Sequence, residues 1–184
     1  MAGSDAPRAS PFVQQCLKDL RSVWGSQPSA LDVAMGTGRH SVALARSGFR
    51  VFGVDRDAAR VLQAKARLDD AGQPSYLWVA DLESSSLPEG RFDLVLCTRY
   101  LQRTLWPQLR RAVAPGGFVL YETFTVGQRS HDWGPRSSEH LLTPGELPAE
   151  FADWDVWQYE ERDTPAAEAS LLARKSHVGM QDRG

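Results

Sequence analysis

The stretch Ala30-Leu31-Asp32-Val33-Ala34-Met35-Gly36-Thr37-Gly38-Arg39-His40 decides the fold. An apolar run carrying one acid is followed by two glycines spaced by one residue, the pattern of a strand turning sharply into a helix. Gly36 and Gly38 lack a Cβ, so the backbone there reaches conformations closed to other residues and lets a ligand lie against it. A dinucleotide-binding turn of this kind carries a third glycine, and that position is Ser41.

Working outward, Arg50 to Asp55 alternates as a strand and ends in an acid about 20 residues after the glycines, the spacing of a ribose-gripping carboxylate in a βαβ unit. Asp55 or Asp57 opens a helix through Ala71, with Val61, Ala64, Leu68 and Ala71 on one face. A third strand, Ser75 to Ala80, delivers Asp81-Leu82 at its C-terminal end, and a fourth, Phe92 to Cys97, is apolar enough to be covered on both faces. Thr104 or Pro107 starts a helix with Leu105, Leu109 and Val113 on one side; Pro115-Gly116-Gly117 ends it, and a fifth strand runs from Phe118 to about Thr125.

These signals, in this order, resemble the class I S-adenosylmethionine (SAM)-dependent methyltransferases. An acid in the first strand followed by x-x-x-Gly-x-Gly is similar to their motif I, whose usual Gly-Cys-Gly reads Ala34-Met35-Gly36 here, and a Pro-Gly-Gly turn commonly precedes their strand five. The match extends from about Ser29 to Ser176. Within the superfamily it is closest to tellurite-resistance-type methyltransferases, through Leu31-Asp32-Val33, Gly36-x-Gly38-Arg39-x-Ser41, Gly145-Glu146-Leu147, Trp154 to Glu161 and Ser170 to Lys175. The resemblance implies an α/β, Rossmann-like sheet of seven mostly parallel strands with helices on both faces and the last strand, Glu168 to Arg174, antiparallel. It implies SAM as cofactor, held by Asp32, Ala34, Met35, Gly36 and Gly38, by Asp55 and Arg56, by Asp81 and Leu82, and beside Cys97.

Candidate catalytic groups project from the ends of strands four and five. Arg99 is placed to steer an anionic substrate, Tyr100 to orient the nucleophile or contact the cofactor, and Glu122 to serve as a base if burial raises its pKa. Tyr121 stands among them. From Val126 to Pro144 the chain shows no helical or strand period and is read as a loop over the acceptor, with Trp133 as an aromatic able to close over a cation. Leu142 to Phe151 is read as a short helix and Trp154 to Glu160 as a strand.

Composition bounds the function. The chain has 184 residues, 42% hydrophobic and 24% charged, which suits one globular domain over residues 12–184 after a disordered lead-in at 1–11. A net charge of -2 speaks against a nucleic-acid footprint, and no apolar run is long enough to span a membrane. Two cysteines in unlike settings, Cys16 and Cys97, suggest thiols in a reducing cytoplasm, and His40, His131, His140 and His177 lack the spacing of a zinc site. The expectation is a cytoplasmic SAM-dependent methyltransferase acting on a small molecule such as a thiol, a chalcogen oxyanion or a modest metabolite, with no metal. Two rivals stand beside it: a SAM-binding module without turnover and, from Gly-x-Gly plus Asp55, an NAD-dependent oxidoreductase.

Overall fold

The computed structural model describes residues 8–25 and 27–176. Seven strands form one sheet: β1 (Ser29–Val33), β2 (Arg50–Asp55), β3 (Ser75–Val79), β4 (Phe92–Thr98), β5 (Val113–Phe124), β6 (Asp155–Arg162) and β7 (Glu168–Arg174), in the order β3-β2-β1-β4-β5-β7-β6. The strands from β1 to β5 pair in parallel, while β7 is antiparallel to both of its neighbours, β5 and β6. The expected sheet is therefore present, with its single reversed strand where the sequence placed it.

Helices α1 (Pro11–Asp19), α2 (Arg39–Arg46), α3 (Ala58–Asp70), α4 (Trp106–Ala112) and α5 (Glu146–Glu150) cover the sheet. Successive side chains of a strand point to opposite faces, so β4 and β5 feed two cores. Leu94, Leu96 and Leu120 pack under α1 and α2 with Val13, Leu17 and Leu44. Val95, Val119 and Tyr121 pack with Leu105, Leu109, Leu147 and Phe151 on the other face. This double cover is why β4 reads as an unbroken apolar run.

Local chemistry sets the ends of the elements. Ser10 caps α1 by accepting from the Val13 amide at 3.2 Å, and Pro11 fits the first turn because its missing N–H would have had no helical partner. The disordered lead-in expected over 1–11 is thus corrected at its end: Ala9 and Ser10 are buried and Pro11 is helical. The rest of that expectation, residues 1–7, lies outside the described residues, as does His177. Asp57 caps α3 through the Ala59 and Arg60 amides, and Val61, Ala64 and Leu68 face inward as their spacing predicts, with Ala71 just past the last turn.

The junction of α4 with β5 departs from expectation. Val113 begins the strand instead of closing the helix, and Pro115-Gly116-Gly117 lies inside β5 at a register shift against Phe92 and Leu94. Gly116 takes φ +74°, and a Cβ on Gly117 would stand 2.8 Å from the Asp93 carbonyl oxygen. The glycines serve a bulge that lets β5 close against β4.

Candidate active site

The strand order reverses direction between β1 and β4, and open α/β sheets bind ligands outside the C-terminal ends of the strands at such a point. A cleft of about 630 Å³ lies there, within the size range of small-molecule sites. Ala34, Asp55, Arg56, Asp81, Leu82, Arg99 and Tyr100 line it, so seven of the residues singled out in the sequence converge on one cleft.

Two of these residues carry backbone strain. Ala34 has φ +53° and Arg99 has φ +51°, a region that side chains with a Cβ rarely occupy and that clusters at functional sites. Ala34 stands where the family usually has glycine, and the chain keeps the left-handed turn without it. Next to it, the Gly36 amide donates to Asp55 Oδ2 at 2.8 Å, and the Asp57 amide donates to Asp55 Oδ1 at 2.9 Å. Asp55 thereby ties the first turn to the end of β2, and each carboxylate oxygen keeps a lone pair to offer a ligand. Asp81 accepts from the Glu83 amide at 3.0 Å, which orients its carboxylate in the cleft lining.

Other expected cofactor contacts sit elsewhere, for packing reasons. Asp32 is fully buried, and Ser41 Oγ donates to its Oδ2 at 2.6 Å, so its carboxylate is a strut between β1 and α2 outside the cleft lining. Burial pushes its pKa up to about 7, against the lowering effect of that hydrogen bond. Met35 turns into a small cluster with Val61 and Ala64, its Sδ against Gly53. Gly38 is required by helix packing: a Cβ there would be 2.7 Å from the Ala64 Cβ. Cys97 is completely buried within the core, its thiol facing the Tyr100 carbonyl, and burial raises its pKa to about 12.

Among the candidate catalytic groups, Arg99 and Tyr100 reach the cleft, but Glu122 does not. Glu122 follows Leu120 toward the face covered by α1, is completely buried, and accepts from Ser170 Oγ at 3.2 Å. Its pKa is raised by burial, but its carboxylate is not among the cleft's lining groups. Tyr121 is likewise in the core, donating to the Tyr100 carbonyl at 2.7 Å.

The stretch from Val126 to Pro144 is more ordered than its composition predicts. It carries 3-10 turns at Val126–Ser130 and Ser138–His140 and a bridge from Thr125 to Leu142. Buried Gln128 anchors it, donating to the Trp133 carbonyl at 2.8 Å and accepting from the Ala167 amide at 2.9 Å. Glu139 and His140 from this segment complete the cleft rim with Gln102, Arg103 and Thr104, none of which had a distinguishing spacing in the sequence. Trp133, half exposed, already has a cation: the Arg99 guanidinium lies 5.8 Å from its ring and 5.2 Å from that of Phe124.

The reversal of strand order, the glycine turn joined to an acid on β2, and the second acid after β3 thus meet at one cleft. The chain belongs to the class I SAM-dependent methyltransferases. A methyltransferase-domain family matches residues 30–117. A ubiquinone biosynthesis O-methyltransferase from Alkalilimnicola ehrlichii is 30% identical over 175 residues, covering 91% of this chain and 68% of that protein. Among solved structures, TehB from Haemophilus influenzae superimposes with a TM-score of 0.71 at 19% identity, over 88% of this chain and 62% of that one. A SAM-dependent methyltransferase from Aquifex aeolicus gives 0.66 at 16% identity, over 85% and 87%. The protein is accordingly a methyltransferase that uses SAM, and among the described residues no helix is long and apolar enough to cross a membrane.

Proposed function

We propose that the cleft holds SAM with Asp55 on the ribose hydroxyls, Arg56 beside it, Asp81 and Leu82 at the adenine, and the Ala34–Gly36 turn at the methionine end. The observation that carries this reading is the Asp55 carboxylate, 2.8 Å from the Gly36 amide: one acid organises the turn and faces the cleft at once. The residues fit the cofactor. A Cβ built on Gly36 meets nothing within 4 Å, so that side of the turn is open to a ligand.

SAM supplies, when bound, a methyl group on a positively charged sulfonium. The chain's own contribution is then chiefly to hold the acceptor in line and keep water away, since orientation alone is worth up to several kcal/mol. The residue patterns leave oxygen, sulfur and chalcogen-oxyanion acceptors open, the last being what a tellurite-resistance-type enzyme would use. Relatives named ubiquinone biosynthesis O-methyltransferase favour oxygen. With Glu122 withdrawn from the cleft, a hydroxyl acceptor, protonated at neutral pH, would take its base from the groups that do line it, among them Glu139 and His140.

Calorimetric titration with S-adenosylhomocysteine tests the cofactor assignment. Asp55→Ala and Asp55→Asn should weaken binding by about tenfold or more, the loss expected for hydrogen bonds to a charged group, and NAD should give no heat. A folded protein that ignores S-adenosylhomocysteine would overturn the reading. Incubation with SAM and either catechol or thiophenol, followed by mass spectrometry, tests the acceptor atom: O-methyl product supports the proposal and exclusive S-methyl product refutes it.

A further inference from the structure

Beside the cleft, on the α1 and α2 side of Arg99, the structure gathers charge that the cofactor reading does not use. His40 Nε2 accepts from the Ser10 amide at 3.3 Å, which leaves the ring proton on Nδ1 to donate to Thr98 Oγ1 at 2.9 Å. That bond ties the start of α2 to the end of β4. It therefore sets Arg39 and Arg99, the residues flanking it, on two adjoining backbones.

The two guanidiniums differ in how they are satisfied. Arg99 donates through Nε to Glu168 Oε1 at 3.0 Å, and its guanidinium lies 5.2 Å from the centroid of Phe124 and 5.8 Å from that of Trp133. Neither Nη of Arg99 has a hydrogen bond among the described residues. Arg39, half-buried, has no ion pair or side-chain hydrogen bond within the described chain. Arg99 is the chief charged neighbour of Arg39, and Glu122, Glu168 and Asp32 influence it without forming an ion pair among the described residues. Arg162 takes Glu168 as well, and approaches Glu122 at 3.7 Å. Glu168 and Glu122 are thus engaged by Arg99 and Arg162, while Arg39 and the Nη groups of Arg99 keep donors unused among the described residues. Half-buried charge without a counter-ion is costly, and a planar guanidinium pair with unused N–H groups matches an oxyanion bidentately.

We propose that Arg39 and Arg99 form a two-arginine subsite for a carboxylate or comparable oxyanion carried by the methyl acceptor, separate from its nucleophilic atom. The proposal rests on the methyltransferase reading and adds to it the substrate class: acceptors with an anionic group attached to a flat ring or short chain. The Arg99 guanidinium lies beside the Phe124 and Trp133 rings, which meet edge to face, and its Nη groups have no partner among the described residues. The same chemistry could come from the carboxylate of the cofactor, and the experiment separates the two sources.

The protein, saturated with S-adenosylhomocysteine, is titrated with benzoate and with benzamide, a neutral probe of the same shape. Benzoate should bind at least tenfold more tightly than benzamide. Arg39→Met and Arg99→Met should each abolish that preference, and Arg39→Met should leave S-adenosylhomocysteine affinity within about threefold. Arg39 makes no ion pair among the described residues, so Arg39→Met should fold normally, and thermal unfolding followed by circular dichroism checks this. Binding of S-adenosylhomocysteine is compared with that of 5′-methylthioadenosine, which lacks the carboxylate. If Arg39→Met weakens the former and spares the latter, the site belongs to the cofactor and the proposal falls. It falls equally if benzoate shows no advantage over benzamide. Failure of S-adenosylhomocysteine to bind the wild-type protein would instead strike the cofactor reading.

Discussion

Two glycines of the first turn answer to different forces, and substitution should separate them. Gly38→Ala brings a Cβ to 2.7 Å from that of Ala64 at φ +80°, so overpacking and backbone strain should cost about 1–3 kcal/mol in urea unfolding. Gly36→Ala meets no neighbour and should cost only about 1 kcal/mol for its left-handed φ, but should weaken S-adenosylhomocysteine more than Gly38→Ala does. Two buried titratable residues should tilt stability in opposite directions. Burial, then Arg39 and Arg99, lowers the His40 pKa from 6.5 to about 3, so the folded state binds its proton less readily than the unfolded chain. Stability from neutral His40 is present above pH 6.5 and drains as pH falls toward 3. For Asp32 the folded pKa is raised from 3.8 to about 7, so its contribution is present below pH 3.8 and is lost as pH rises through 7. Urea unfolding across pH should show His40→Gln gaining on wild type toward acid and Asp32→Asn gaining toward neutrality. At this scale the sequence marked Asp55 and the glycines by spacing, but it could not tell a glycine that admits a ligand from one that admits a helix. That distinction belongs to Ala64, which lies on another element.

At the scale of elements, the segment from Val126 to Pro144 depends on one buried side chain. Gln128→Ala would leave the Ala167 amide without its partner in a buried setting, at a cost of about 1–3 kcal/mol. It would also release the turn that carries Trp133. Limited proteolysis should then cut within 126–144 faster than in wild type, with the sheet intact by circular dichroism. The expected loop was legible as a break in periodicity, yet its anchoring was not, because Gln128 is a polar residue whose partner, Ala167, lies far along the chain. The α4–β5 junction shows the opposite error. Pro115-Gly116-Gly117 reads as a stop signal, but the requirement for close approach to Asp93 made it a bulge within a strand.

For the whole molecule, cofactor binding should appear as stability. A ligand at about one hundred times its dissociation constant adds about 2.7 kcal/mol, which in a chain of this size raises Tm by about 5–11 °C. S-adenosylhomocysteine should produce that shift, Asp55→Ala should shrink it, and NAD should leave Tm unchanged. The sequence by itself determined most of the strands, the glycine turn and the acids that end β2 and β3, which local periodicity and turn chemistry settle among neighbouring residues. The parallel order of the sheet and the reversed β7 followed from its resemblance to the methyltransferase family. Only the tertiary structure decided which face each strand residue takes and which distant charges meet. Glu122 was one position from the cleft side yet was carried into the opposite face by the two-residue alternation of β5. Arg39 and Arg99 lie far apart in the chain and become neighbours because β1 pairs with β4 and His40 bonds Thr98 across them.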